Sequence, residues 1–115
     1  MTVSYEGIGQ WAATFACGSV FEGQMVKVSG NGKVGSCSAG ERFCGQVLSV
    51  CRGGGACSVV LGGIVTVFYS GSTAPTVGWC GLVSDGTGGV LVDPDGHSYL
   101  VVEVDKTTGT VTFAL

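Results

Sequence analysis

Charge is scarce in this chain. Of its 115 residues, 5 are Lys or Arg and 8 are Asp or Glu, giving a formal net charge of -3 at pH 7. So few cations cannot build the basic surface that binding a phosphate backbone requires, and no nucleic-acid partner is expected. Long apolar runs are missing too. No segment approaches the roughly 20 residues that cross a bilayer as a helix, so no membrane partner is expected either. The opening Met1-Thr2-Val3-Ser4-Tyr5-Glu6 has neither a basic start nor an apolar stretch, and no secretory signal is expected from it. Proline is nearly absent: 2 residues beside 22 glycines without a three-residue period exclude a collagen-like chain. With 45% hydrophobic residues, the composition also excludes intrinsic disorder.

What the chain has in abundance is glycine, and its distribution restricts the fold. Glycine costs about 1 kcal/mol per residue inside a helix relative to alanine. From Gly7 onward, the one interval longer than ten residues that is free of both Gly and Pro runs from His97 to Thr108. Its centre, Tyr99-Leu100-Val101-Val102-Glu103-Val104, is aromatic and β-branched and suits a strand. The chain therefore reads as all-β. Short apolar or alternating runs predict strands at Ala12–Ala16, Met25–Val28, Phe43–Val50, Cys57–Leu61 and Ile64–Tyr69. Further strands are predicted at Trp79–Val83, Val90–Val92, Tyr99–Val104 and Thr110–Leu115. Turns such as Gly30-Asn31-Gly32, Gly53-Gly54-Gly55 and Asp93-Pro94-Asp95-Gly96 separate them. Nine short strands at this spacing fit a small Gly-rich β-barrel or β-sandwich.

Two stretches share a pattern. Gly23–Val34, Phe43–Val50 and Ala56–Leu61 correspond to Gly78–Val90, Tyr99–Val104 and Thr110–Leu115. Each reads as glycine, strand, serine with a glycine turn, valine, and then a hairpin ending in leucine. Two pseudo-repeated halves closing one core would explain the pattern. The self-similarity of any glycine-rich β-chain would also explain it. On this reading residues 1–22 form an N-terminal segment that serves as an assembly arm, and residues 23–115 form a single β-domain.

Six cysteines stand at 17, 37, 44, 51, 57 and 80. They lack the close ligand pairing of a structural zinc site, and most lie in strand patterns, so buried free thiols are expected. Cys51 and Cys57 flank a glycine hairpin, which leaves a disulfide between them open. Cys44 is placed on a face with Leu48 and Val50, Cys57 with Val59 and Leu61, and Cys80 with Leu82. Catalysis would need His97, the one histidine, beside a nucleophile such as Cys80, and nothing in the sequence brings the two together. The acidic turns Asp85–Gly89 and Asp93–Gly96 lack the ligand series of a calcium loop. No enzyme activity, catalytic residue, metal or cofactor is expected.

The aromatic residues allow two readings: core plugs, or contacts to another chain. Trp11, Phe15 and Phe21 fall before the repeat, with no partner strand in it, and are the candidates for an interface core. Lys27 and Arg42 are candidate charged contacts. Low surface charge, and strand edges without charged gatekeepers, argue for a domain covered by its neighbours.

Several segments carry a family resemblance: Gly23–Val34, Gly40–Val47, Ala74–Trp79, the turn Ser84–Gly89 and the closing strands Tyr99–Leu115. In these the chain resembles the small capsid decoration and head-associated proteins of tailed bacteriophages and prophages. The resemblance implies a non-enzymatic virion structural protein that self-associates, with a homotrimer favoured. It implies the major capsid protein as partner, the virion as location and the host cytoplasm during assembly. The alternative is a phage tail or cell-surface module that binds glycan, with Trp79 and Tyr69 as stacking platforms. Open rings along a groove would favour glycan; buried rings would favour the structural role.

Overall fold

The computed structural model describes residues 10–115. These residues contain ten strands and no helix: β1 (Trp11–Cys17), β2 (Met25–Gly30), β3 (Lys33–Ser36), β4 (Gly45–Val50) and β5 (Ala56–Gly62), followed by β6 (Ile64–Ser70), β7 (Gly78–Ser84), β8 (Val90–Val92), β9 (Ser98–Asp105) and β10 (Thr110–Ala114). The expected all-β class holds. The strand that sequence patterning missed is β3, whose Lys33-Val34-Gly35-Ser36 offers one apolar side chain and no run to recognise.

The strands close into two five-stranded barrels. In the first, the order around the barrel is β1, β3, β2, β4, β5; in the second it is β6, β8, β7, β9, β10. The topology is the same strand for strand. Each barrel's opening strand runs parallel to its third strand and antiparallel to its last, as β1 with β3 and β5, and β6 with β8 and β10. The halves are thus pseudo-repeats, and the repeat begins earlier than the sequence pattern suggested. β1 is the counterpart of β6, and both lie before the points, Gly23 and Gly78, at which the sequence pattern starts.

Trp11–Cys17 therefore has partner strands, contrary to expectation. It pairs along its length with β5 and through Ala16 and Cys17 with β3. The barrel needs this strand for closure, because β3 and β5 would otherwise each be left with a bare edge. Residues 1–9 of the expected assembly arm lie outside the described residues. Among the described residues every strand has a partner on both sides, so no strand stands at a sheet edge, although several ladders cover only part of a strand.

Two apolar clusters fill the structure. One is the interior of the first barrel: Cys17, Val26, Val34, Val47, Cys57 and Val59. The other unites second-barrel residues, including Leu82, Val101 and Phe113, with Met25, Cys37, Phe43 and Val60 of the first barrel. Adjacent residues of one strand serve different clusters: Val26 and Met25 on β2, and Val59 and Val60 on β5. Burial on both faces is why these strands read as continuous apolar runs rather than alternating ones.

Backbone hydrogen bonds also join the halves. The Gly40 and Ser84 amides donate to the Ser84 and Glu41 carbonyls at 2.9 Å each, and the Met25 amide donates to Gly88 at 2.9 Å. Close approach explains Gly45 at the start of β4: a Cβ there would run into the Val60 carbonyl of β5.

Candidate interaction surface

With both barrels closed over buried cores, several large apolar side chains remain in solvent. Trp79 is 73% exposed and Phe68 67%. Neither plugs the core, a role taken instead by Phe43, Tyr99 and Phe113. Strand alternation explains the exposure. On β7, Cys80 and Leu82 point inward, so Trp79 points out; on β6, Val65 and Val67 are buried while Thr66 and Phe68 face solvent. The signal was present in the sequence, but the aromatic character of these residues suggested burial.

Trp79 lies directly across from Leu100 on β9, and Val77 stands two residues before it. All three are exposed, forming one apolar face on the second barrel.

A second surface lies where the barrels meet. Phe21, in the loop before β2, lays its ring over Gly88, where a Cβ would collide with it. With Phe68 it flanks a cavity of about 330 Å³ that also involves Gln46, Thr66 and Gly89. Asp85 sits at its margin. The Asp85 carboxylate accepts from Ser70 Oγ at 2.6 Å, Thr87 N at 2.7 Å, Thr87 Oγ1 at 2.9 Å and Gly89 N at 3.0 Å. Burial raises its pKa, but these hydrogen bonds outweigh burial and hold it below the ordinary aspartate value.

A third surface is a larger groove of about 570 Å³ between the barrels. Lys27, Arg42 and Leu61 come from the first barrel, and His97, Tyr99 and Leu115 from the second. Lys27 Nζ donates to Glu41 Oε2 at 2.6 Å, while Glu41 Oε1 accepts from Ser38 N at 2.6 Å. These contacts lower the Glu41 pKa, and the same Glu41 hydrogen bond raises that of Lys27. Burial raises the Tyr99 pKa, and the Arg42 guanidinium pulls against that shift.

The five residues singled out from the sequence do not form one surface. Lys27 and Arg42 come together in the inter-barrel groove. Phe21 belongs to the cavity with Phe68. Phe15 is half-buried against the first barrel's core. Trp11, 60% exposed, lies across Gly62, which has no side chain to displace the indole.

All six cysteines are free thiols. Cys17, Cys37, Cys57 and Cys80 are buried, Cys44 is half-buried and Cys51 is exposed. Cys51 and Cys57 do not face each other: Cys57 pairs with Val50, one residue off register, so the two side chains leave opposite faces of the hairpin. Burial, then hydrogen bonding to the Cys17 thiol, pushes Cys57 up to about 11. The expected face of Cys44, Leu48 and Val50 is broken by a register shift between Val47 and Ser49, which turns Leu48 out to solvent. Cys57 with Val59, and Cys80 with Leu82, do face the core. Cys80 points inward, whereas His97 is exposed with its ring edge-on to Tyr99 at 4.8 Å. Among the described residues, no cluster of three or more His, Cys, Asp or Glu is arranged to hold a metal ion. Compared with known protein families, with characterised proteins and with solved structures, the chain matches none.

Proposed function

We propose that this chain is a non-enzymatic virion structural protein, a capsid decoration protein that self-associates and binds the surface of the major capsid protein. One observation carries the reading: two completed barrels leave Trp79, Val77, Leu100, Phe68 and Phe21 in solvent. The cores do not need these side chains, and clustered apolar exposure of this kind marks a surface that another chain covers. The sequence resemblance to phage head proteins supplies the class of that chain and favours a trimer as the self-associated form. The low charge accords with a domain that functions while covered.

The glycan-binding alternative draws less support. The two rings divide: Trp79 is open, as the glycan reading asks and against the burial expected of a structural role, while Tyr69 packs against the core. Co-sedimentation with capsids lacking any decoration protein tests the proposal. The purified chain should pellet with them saturably, and Trp79→Ser should weaken binding. No pelleting at any protein concentration would reject it.

A further inference from the structure

The inter-barrel groove combines positive charge, which is rare elsewhere on this protein, with apolar lining. The chain carries 5 Lys or Arg residues in all, and two of them, Lys27 and Arg42, line this one groove together with His97. Lys27 is neutralised by Glu41. Arg42 has no carboxylate within ion-pair distance among the described residues and is exposed, so its guanidinium is open to a ligand. Its guanidinium presents donors in the planar fork that matches a carboxylate. Beside this charge, exposed Val28 and half-buried Leu61 and Leu115 supply apolar lining, next to the buried Phe43–Tyr99 pair.

We infer that this groove is a docking site for an acidic side chain, Asp or Glu, presented next to a large apolar residue on a segment of a partner polypeptide. The volume lies within the range of ligand-binding clefts, and a junction between folded units is a usual place for one. Charge complementarity selects the carboxylate, and the aliphatic side chains of Val28, Leu61 and Leu115 select its apolar neighbour. One phosphate-sized ion would use Arg42 but leave the wall empty. The inference rests on the proposed function only in naming a capsid subunit as owner of the segment; the chemistry of the groove stands apart from it.

The test is amide chemical-shift titration of the full chain with acetyl-Phe-Glu-amide, with acetyl-Phe-Gln-amide and with inorganic phosphate. The acidic peptide should shift the signals of Arg42, Cys44, His97 and Tyr99. It should bind about 10-fold more tightly than the amide form, the effect of one charge-assisted contact, and Arg42→Gln should remove that difference. Equal binding of the two peptides, shifts centred elsewhere, or no binding up to about 10 mM overturns the inference, because the weakest useful contact lies near that range. Phosphate competing as well as the acidic peptide also overturns it, leaving an anion site alone. Capsid co-sedimentation of Arg42→Gln separates the two readings. Peptide binding without any capsid binding rejects the function and leaves the groove; capsid binding without peptide binding does the reverse.

Discussion

Phe43 of the first barrel stacks on Tyr99 of the second, with ring centroids 5.0 Å apart and planes 17° from parallel. Phe113 completes the group, its centroid 5.9 Å from Phe43 and 5.2 Å from Tyr99. Phe43 is contributed by the loop that leads into β4, and it is nearly fully buried. The repeat therefore does not produce two independent beads. One half inserts an aromatic ring into the core of the other, and the two barrels share an apolar cluster.

Phe43→Ala should accordingly destabilise the whole chain by about 3–5 kcal/mol, the usual cost of removing a buried phenyl ring. Guanidinium unfolding followed by tryptophan fluorescence should show one transition shifted to lower denaturant. Trp11 reports on the first barrel and Trp79 on the second, so separate transitions in single-tryptophan variants would contradict a shared core.

Thiol chemistry should be sharply selective. The thiolate is the reactive form, and burial keeps Cys37, Cys44 and Cys57 protonated, with Cys57 up to about 11. Exposed Cys51 should react first with a chromogenic disulfide reagent at neutral pH, giving one fast equivalent that Cys51→Ser removes. The buried thiols should appear only on unfolding. Several equivalents reacting together in the native protein would contradict the burial described.

Acid should loosen the hairpins between β7 and β8 and between β9 and β10. Asp85 and Asp105 both have folded pKa values below their ordinary ones. Hydrogen bonds from Ser70, Thr87 and Gly89 outweigh burial at Asp85, and amides of Thr108 and Thr107 act on Asp105. A lowered folded value means that the stabilisation is fully present above the ordinary aspartate pKa of about 3.9 and is lost as pH falls through the folded value. Asp85→Ala should lower the thermal midpoint at pH 7, with a cost of about 1–3 kcal/mol for the charged acceptor it removes. Below the folded value the variant and the parent should converge. An equal difference at both pH values would show that the carboxylate charge is not what matters.

Much of the fold was legible in the residues. Glycine punctuation excluded helices and placed nine of the ten strands, and the match between Gly23–Leu61 and Gly78–Leu115 pointed to two halves. The opening strand of each barrel escaped the repeat pattern. β1 and β6 share no residue signature, and their equivalence lies in pairing with β3 and β8, which only folding reveals. Closure was equally invisible, because the β5 pairing with β1 joins residues far apart in the chain. For the surface, alternation around Trp79 and Phe68 encoded exposure. The meeting of Arg42 with His97 and Tyr99 depended on how two barrels pack and had no local signal.

The apolar face of Val77, Trp79 and Leu100 bears on the central claim, that this domain is built to be covered by copies of itself and by its partner. Surface substitutions away from structural features usually change stability by no more than about 0.5 kcal/mol, so Trp79→Ser should unfold at nearly the parent's denaturant concentration. Light scattering on the purified chain across a micromolar concentration series should show a discrete oligomer, a trimer favoured, that Trp79→Ser shifts toward monomer. A strict monomer throughout the series, unchanged by the substitution, would contradict the claim.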